Sequence, residues 1–394
     1  MTKRMRQGAM AAAAVLLGTA AACAGPERPA THDRPPHHGP AADGAARKGG
    51  FTLVATGDVL PHDSVIAQGE ADAEDDGYDF APMLAAVKPV VSGADVAICH
   101  METVYGEEGG FYSGYPAFVS PPEIARGLKD TGYDSCSTAS NHSLDDGADG
   151  VRRTLDALDK AGVKHAGSAR SAAEAIRPTL LNAGGAKIAQ LAYTFGTNDY
   201  PFPEDQPWAV GLIDEDQIIA DARAARSAGA DVVVVSLHWG TEWQTEPDEE
   251  QLDLGKKLTA SRNGGRPDID LILGTHAHVP QPYQKVNGTW IIYGMGDQIA
   301  GTMTNDDGEV DGRGNHGSIG RFTFAPPAAK GGRWQVKKAE FIPQMMDLDT
   351  LRVVNLPEAV RRDPERDDYR EIQSDISEAV LSRGAAADGL TMAR

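Results

Sequence analysis

Histidine, asparagine and carboxylate residues stand at the ends of successive apolar runs in this 394-residue chain. Seven of them share that position: Asp58, Glu102, Asn141, His142, His238, His276 and His278. Imidazoles and carboxylates together bind zinc, manganese or iron, and an asparagine adds a neutral oxygen. Two such metals about 3.5–4 Å apart can share a carboxylate and activate a water for in-line attack on phosphorus. The residue types therefore predict a centre for divalent metal, with Mn, Zn and Fe as candidates and their number open.

Spacing around these residues adds detail. His276 and His278 are two positions apart, and such residues face the same way on extended chain, so both can hold one ion. Glu242 follows His238 by four positions and is expected at the same rim. An imidazole left free of metal could donate a proton to a leaving oxygen. Each residue alone could instead be a turn or a buried core histidine, but their succession in strand order favours a joint site.

The elements that position these residues are buried strands alternating with helices. Strands are predicted at FTLVATGDV, ADVAICHME, YDSCSTASNH, KIAQLAYTFG, DVVVVSLHWG, IDLILGTHAH and TWIIYGMGDQ. Helices are predicted over 80–91, 123–131, 149–161, 214–229 and 248–259. This alternation predicts a largely parallel sheet, whose strands share one carboxyl edge where ligands bind. The later runs RFTFAPP and WQVKKAEFIPQ are typical of antiparallel edge strands.

The N-terminus predicts export. Lys3, Arg4 and Arg6 precede an apolar stretch over 9–22 that is too short for a stable anchor, and Cys23 follows three alanines. We predict a lipoprotein-type signal peptide over 1–23 with Cys23 lipidated, which attaches the protein to the outer face of the cytoplasmic membrane. A plain secretory signal is the alternative. Residues 24–50 are rich in Pro, His and Gly and predict a disordered tether.

Charge and cysteine content narrow the class of protein. A formal net charge of −20 argues against nucleic acid as a partner, because an acidic surface repels phosphate backbones. It leaves anionic substrates open, since a bound metal can reverse the field locally. Export permits a disulfide between Cys99 and Cys136. Both lie in apolar runs, where buried free thiols are common, and we favour two free thiols.

The ordered motifs resemble those of the CapA family, named for poly-γ-glutamate capsule synthesis proteins. They are GDV (57–59), METVYG (101–106), SNHSLDDG (140–147), LHWGTEW (237–243), GTHAHVPQP (274–282) and IIYGMGD (291–297). The resemblance implies a calcineurin-like metallophosphoesterase fold, which is a four-layer α/β/β/α sandwich. That domain is expected over 51–350, with a surface helix and tail over 351–394.

The resemblance also implies roles for residues. The expected metal ligands are Asp58, Glu102, Asn141, His238, His276 and His278, with His142 or His238 as the acid or base. Residues expected to support them or contact substrate are Asp145, Glu242, Gln281 and, as a weaker match, His62. The chain departs from the family where it has His100-Met101-Glu102 and Met295-Gly296-Asp297-Gln298, and its first motif lacks an Asp-x-His.

Function follows from the resemblance as an expectation. It implies an extracytoplasmic protein with a metal-dependent hydrolase or transferase site, acting at a phosphoryl or acyl group. The process would be synthesis, export or anchoring of a cell-surface polymer such as poly-γ-glutamate or capsule. Expected partners are that anionic polymer or its precursor, and membrane synthase subunits. The alternatives are a non-catalytic polymer-binding accessory subunit of a membrane synthase, and a general phosphoesterase unrelated to capsule.

Overall fold

The computed structural model describes residues 49–305, 307–329 and 332–393. The predicted signal peptide, Cys23 and nearly all of the predicted tether lie outside these residues. Across the described part of the chain, no helix has the length and apolar character needed to cross a membrane.

Strands and short helices alternate through most of the described chain. The strands are β1 (Phe51–Leu60), β2 (Val96–Met101), β3 (Val104–Tyr105), β4 (Val119–Ser120), β5 (Ser135–Ser137), β6 (Lys164–Ala166), β7 (Thr179–Ala183), β8 (Ala186–Thr194), β9 (Val232–His238), β10 (Arg262–Asn263), β11 (Arg266–Pro267), β12 (Leu271–Thr275), β13 (Tyr283–Val286), β14 (Thr289–Ile292), β15 (Asp297–Ala300), β16 (His316–Ala325), β17 (Gln335–Asp347), β18 (Arg352–Asn355) and β19 (Leu390–Met392). The helices are α1 (Asp63–Asp72), α2 (Lys88–Ser92), α3 (Ile124–Thr131), α4 (Gly147–Ala161), α5 (Ala172–Ala175), α6 (Glu215–Ser227), α7 (Glu249–Ala260), α8 (Leu356–Arg362) and α9 (Asp367–Leu381).

The strands form two main sheets. The larger sheet has the order β18-β17-β16-β1-β2-β5-β6, with β15 paired to β1 and β19 paired to β17. The smaller sheet has the order β13-β14-β12-β9-β8-β7. Strands β1, β2, β5 and β6 run parallel, as do β8, β9, β12 and β14. The parallel pairing is confirmed, but it is divided between two sheets.

Three apolar clusters show how the layers pack. One lies between the sheets and joins residues such as Leu53 of β1 to Val234 of β9. A second packs the outer face of the larger sheet against helices that include α3, and a third packs the smaller sheet against α6 and α7. Valine-rich β9 is buried on both faces, which is why its run is continuously apolar. The protein is therefore the expected four-layer α/β/β/α sandwich.

Local signals explain where several helices begin and end. Asp248 accepts a hydrogen bond from the backbone of Gln251, and the Gln251 side chain accepts one from the backbone of Asp248, so α7 begins with a capping box. Gly132 and Gly162 end α3 and α4 in the left-handed conformation that glycine adopts readily. The helix predicted over 80–91 is instead a 3-10 turn (Pro82–Leu84) followed by α2, because prolines at each start lack the N–H that an earlier turn would need.

The C-terminal part is more integrated than predicted. Strands β16 and β17 are antiparallel, but β16 pairs with β1 inside the larger sheet, so its placement at an edge is wrong. Over 351–394 we expected a surface helix and a loose tail. Instead, β19 pairs with β17, and the α9 residues Ile376 and Val380 are buried in the cluster between the sheets. Their spacing of four places them on one apolar helix face.

Cys99 and Cys136 form a disulfide, so the prediction of two free thiols is wrong. They lie opposite each other on the neighbouring strands β2 and β5, which brings their Cα atoms to 4.4 Å. That separation is compatible with a disulfide. Sequence alone does not give this register, because it depends on which strands are adjacent.

Candidate metal centre

The carboxyl ends of strands from both sheets meet at one cluster of ionisable side chains. The larger sheet contributes Asp58 on β1 and His100 on β2. The smaller sheet contributes His238 at the end of β9, and His276 and His278 just after β12. The backbone N–H of His276 donates to Asp58 Oδ2 at 3.1 Å, so a hydrogen bond crosses directly from one sheet to the other.

Glycines make this close approach possible. A Cβ at Gly57 would lie 1.7 Å from the carbonyl oxygen of Gly296, and a Cβ at Gly274 would lie 1.9 Å from that of Tyr293. The backbone N–H of Asp58 donates to the Gly296 carbonyl at 3.1 Å. Because glycine has no Cβ, the Gly-Asp and Gly-Thr-His motifs can bring their acid and imidazoles into one small volume.

Within the described chain, three groups of side chains bring candidate ligand atoms within 4.8 Å of one another. The groups are Asp58, His100 and His238; Asp58, His278 and Asp297; and Glu242, His276 and His278. Asp58 and His278 each belong to two groups, so the three groups are contiguous. A carboxylate shared between neighbouring positions suits a centre for more than one divalent cation.

Two further predicted ligands border these groups. Glu102 is 1% exposed, and its Oε1 lies 3.7 Å from His238 Nε2. The Asn141 Oδ1 atom lies 2.8 Å from the same nitrogen. The structure therefore brings together all six predicted ligands: Asp58, Glu102, Asn141, His238, His276 and His278.

The donor set fits a cation because several of its buried atoms lack a hydrogen-bonding partner among the described protein groups. These atoms are Asp58 Oδ1, His100 Nε2, both carboxylate oxygens of Glu102, His276 Nδ1 and Asp297 Oδ2. Burying an unpaired carboxylate costs several kcal/mol at least, so proteins rarely retain one without a counter-charge. Divalent metal provides that charge, and oxygen and imidazole donors of this kind bind it.

Burial also perturbs the carboxyl groups. It raises the pKa of Asp58 to about 8, with the neighbouring Asp297 adding to the effect. Burial raises the pKa of Asp297 to about 6 and that of Glu102 well above its ordinary value. In the metal-free protein Asp58 and Glu102 therefore hold protons near neutral pH, and a bound cation would displace them.

The histidines divide into two kinds. Burial lowers the pKa of His100 to about 3 and the pKa values of His238 and His276 well below the ordinary value, so all three are neutral imidazoles suited to metal. For His278, burial alone would lower the pKa, but Asp297, Glu102 and Asp58 outweigh it and raise the pKa well above the ordinary value. His278 Nδ1 lies 3.0 Å from Asp297 Oδ1.

His142 is held differently from the candidate ligands. Its Nδ1 lies 2.6 Å from Asp145 Oδ2, which also accepts a hydrogen bond from the backbone N–H of Phe118 at 2.7 Å. His142 belongs to none of the three ligand groups. Asp145 therefore fixes the orientation of the His142 ring and leaves Nε2 as the nitrogen outside this pair.

The remaining predicted residues have supporting positions. His62 Nδ1 lies 3.0 Å from the Leu60 carbonyl oxygen and 3.1 Å from the Gly301 nitrogen, and His62 also belongs to none of the groups. Burial lowers the pKa of His62 to about 4. Gln281 donates a hydrogen bond to the Gln244 carbonyl at 2.8 Å. This bond helps to fix the position of the segment after β9 that carries Glu242.

His276 and His278 belong to one ligand group, but the prediction that they lie on extended chain is wrong. Strand β12 ends at Thr275, and the two histidines have φ angles of 96° and 58°, so this segment is not extended. Left-handed backbone is unfavourable for residues with a Cβ, and such residues cluster at functional sites. The turn, rather than strand alternation, brings both imidazoles to Glu242.

Sequence reasoning missed His100 and Asp297. His100 lies on β2, and Glu102 directly follows that strand two positions later, so the alternation of side chains along extended chain could have placed both on one face. Asp297 follows the run IIYGMG, which is the pattern that identified Asp58. Both belong to segments that depart from the family motif, so the resemblance assigned no role to either residue.

Aromatic side chains border the centre. The Phe195 ring centroid lies 4.4 Å from that of His276, and Trp243 lies 6.1 Å from His278. Phe118 packs edge-on against His142 at 4.8 Å. Phe195 is 51% exposed, so it presents a free ring face beside the ligands.

The four-layer α/β/β/α sandwich thus carries imidazole, asparagine and carboxylate groups together at the carboxyl ends of its strands. Residues 52–302 match the family described as bacterial capsule synthesis protein PGA_cap, and the chain belongs to that family.

Relatives of the chain include a PGA biosynthesis protein and a probable polyglutamine synthesis accessory protein. It is 28% identical over 210 residues to the PGA biosynthesis protein CapA of Bacillus subtilis, which covers 52% of this chain and 53% of that protein. It is 27% identical over 222 residues to a probable polyglutamine synthesis accessory protein of Mycobacterium tuberculosis, covering 53% and 56%. The chain thus matches about half the length of these relatives.

Solved structures with a similar chain path include a putative 5'-nucleotidase and a calcineurin-like phosphoesterase. A putative 5'-nucleotidase from Staphylococcus aureus has a TM-score of 0.46 at 14% identity, covering 83% of this chain and 58% of that one. The calcineurin-like phosphoesterase YfkN from Bacillus subtilis has a TM-score of 0.42 at 14% identity, covering 84% and 99%.

Proposed function

We propose that this chain is an exported, metal-dependent hydrolase or transferase that acts in the synthesis, export or anchoring of a capsule or poly-glutamate polymer. Family membership supports the role in polymer synthesis. The observation that carries the catalytic part is the buried cluster of unpartnered carboxylate and imidazole atoms beside the oriented His142–Asp145 pair.

Each residue has a task in the proposed chemistry. The ligand groups around Asp58 and His278 would hold divalent metal, which when bound polarises a phosphoryl or acyl oxygen. His142 Nε2 would donate a proton to the leaving oxygen, because Asp145 holds the opposite ring nitrogen. Asn141 and His238 fix each other across the two sheets.

Export and lipidation at Cys23 are part of the proposal. The disulfide between Cys99 and Cys136 supports an oxidising compartment, because disulfides rarely persist in the cytosol. The proposed location is the outer face of the cytoplasmic membrane, with the polymer or its precursor as ligand and membrane synthase subunits as partners.

The test combines elemental analysis with activity. The purified protein should contain Mn, Zn or Fe and should cleave a member of a panel of phosphoesters and γ-glutamyl peptides, with activity lost to a chelator and restored by metal. Asp58→Asn should reduce bound metal. The matched control is Asp95→Asn, since Asp95 bonds the Thr52 backbone at the other end of the sheet. A protein that binds no metal and cleaves nothing in the panel would refute the catalytic proposal.

A second candidate function is polymer binding without catalysis, as an accessory subunit. Exposed aromatic rings at the rim of the centre favour this function. Phe195 is 51% exposed and lies beside His276, and Tyr115 is 76% exposed and lies beside Phe118. Under this function, a chelator would leave polymer binding unchanged while Phe195→Ala would weaken it.

A further inference from the structure

The chain segments that build the metal centre contain no lysine or arginine. These segments are 49–87 with Asp58, 89–125 with Glu102, 130–151 with Asn141, 227–255 with His238, 267–284 with His276 and 286–312 with Asp297. The segment 188–222, which places Phe195 beside His276, has none either. Bases lie instead at the opposite end of the strands, where Arg226 and Arg333 both pair with Asp270, directly before β12.

Some bases from other parts of the chain lie near these segments, and they are paired with acids there. The pairs are Arg313 with Asp311 at 2.6 Å, Lys160 with Glu108 at 3.5 Å and Arg153 with Asp146. Because each base already has an acid partner, none of the three adds free positive charge to the face that carries the centre.

The centre itself offers no excess of positive charge when it holds metal. Four carboxyl groups belong to the ligand groups or border them: Asp58, Glu102, Glu242 and Asp297. In the ionised form that binds metal they carry four negative charges, which two divalent cations would only balance. A single phosphoryl or acyl group can still bind to metal, but the rest of a polyanion would meet no counter-charge along these segments.

Exposed aromatic rings flank the centre on both sides. Phe195 follows β8 of the smaller sheet, is 51% exposed and lies 4.4 Å from the ring of His276. Tyr115 lies between β3 and β4, is 76% exposed and lies 6.3 Å from Phe118, which packs against His142. Flat apolar rings pack against the C–H faces of sugars, and neighbouring carboxylates accept hydrogen bonds from sugar hydroxyls.

We propose that the polymer bound at this face is an uncharged glycan, with sugar rings on Phe195 and Tyr115 and one phosphoryl or acyl substituent at the metal centre. A polyanion such as polyglutamate would set its carboxylates against a surface that has acids and no free base, and such like-charge contact is unfavourable. The proposal rests on the proposed function in taking the metal centre as the place where the polymer binds, and it adds the chemical class of that polymer.

Calorimetric titration of the purified, metal-loaded protein tests the proposal, at low ionic strength, where charge repulsion is least screened. The probes are the uncharged hexasaccharides cellohexaose, maltohexaose and chitohexaose, and γ-linked hexaglutamate. At least one hexasaccharide should bind with a dissociation constant below about 1 mM, and hexaglutamate should bind at least about tenfold more weakly. No turnover is measured, so this proposal can fail in a protein whose metal-dependent cleavage is found, and it can hold in a protein that cleaves nothing.

Variants of the exposed rings locate the glycan. Phe195→Ala and Tyr115→Ala change exposed side chains outside the ligand groups, so both should fold and keep their metal content. Each should weaken hexasaccharide binding about fivefold, because one ring contact is lost, whereas Phe195→Trp keeps a flat ring and should retain binding. The matched control is Ile176→Ala, since Ile176 is 81% exposed but lines a separate cleft beside β8.

Three results would overturn the proposal. The first is hexaglutamate binding within about tenfold of the best hexasaccharide, which would mean that the missing bases do not exclude a polyanion. The second is no heat of binding for any of the hexasaccharides. The third is unchanged hexasaccharide affinity in both Phe195→Ala and Tyr115→Ala, which would place the glycan away from the metal centre.

Discussion

At the scale of single residues, the candidate metal ligands differ in their surroundings from His142, the proposed proton donor. The candidate ligands are buried and several have unpartnered atoms, whereas His142 has a dedicated carboxylate at 2.6 Å. A histidine oriented by a carboxylate on one nitrogen presents the other nitrogen in a fixed direction. This difference in surroundings, rather than in residue type, distinguishes the proposed proton donor from the proposed ligands.

Replacing His142 by alanine should lower turnover by about 10²–10⁴-fold, because a positioned general acid contributes that much. Metal content should stay unchanged, since His142 belongs to no ligand group. Asp145→Asn should lower turnover less, because the His142 ring remains and the amide oxygen can still accept a hydrogen bond from Nδ1. Turnover and metal content measured on the same preparations check this, and metal loss in His142→Ala would instead make His142 a ligand.

The metal-free protein should lose stability between about pH 6.5 and 8. Burial raises the pKa of Asp58 to about 8, whereas a carboxyl in an unfolded chain titrates near 4. As the pH rises above about 6.5, unfolded histidines become mostly neutral, so the opposing contribution of the buried neutral histidines fades. The folded state then holds a proton that the unfolded chain lacks, and the free energy of unfolding falls as pH rises.

Thermal unfolding of the chelated protein across this pH range measures that loss, with the metal-loaded protein as the control. Metal replaces the proton, so the loaded protein should not show the same fall. A midpoint that stays level or rises in the chelated protein would contradict the pKa assignment.

At the scale of elements, the sequence was sufficient to place the centre at the carboxyl ends of parallel strands. The continuous apolar runs and the polar residues after them are local signals, and they predicted Asp58 and His238 at the ends of β1 and β9. Contacts that depend on strand neighbours were not predictable in this way. The pairing of β16 with β1, the position of β19 and the opposition of Cys99 to Cys136 all follow from tertiary arrangement.

The disulfide between β2 and β5 should stabilise the fold by about 2–4 kcal/mol, because it closes a loop in the unfolded chain. It also lies next to a ligand: His100 follows Cys99, and its Nδ1 is 2.7 Å from Ser137 Oγ on β5. The Cys99→Ser, Cys136→Ser double variant should unfold at lower temperature and hold metal less tightly. Reductant should lower the unfolding temperature of the parent protein in the same way and should not change that of the double variant. An unchanged unfolding temperature in the double variant would refute the stabilising role.

At the scale of the whole molecule, the four-layer sandwich and the family could be predicted from the sequence, because the order of the motifs resembles that of a known family. The integration of 351–394 was not, since its charged composition obscured the apolar stripe of α9. The N-terminal prediction concerns residues outside the described structure, and it stands as a prediction.

Cys23→Ala should release the protein from the membrane. In the lipoprotein proposal Cys23 carries the only lipid. The Cys23→Ala variant lacks that lipid, so it should move from the membrane fraction to the soluble exported fraction. Fractionation of cells expressing each form measures the change. Equal distribution of the Cys23→Ala and parent proteins would favour the plain secretory signal.

The hydrogen bonds that cross between the sheets have a consequence for biogenesis. His276 N–H reaches Asp58 Oδ2, and His238 reaches Asn141, although each pair is contributed by distant parts of the chain. Neither half of the sequence alone contains a complete ligand group around Asp58, because His238 and Asp297 come from the later half and His100 from the earlier half. In the proposed metal-binding function, loading of the two groups that contain Asp58 would therefore coincide with or follow the docking of the two sheets.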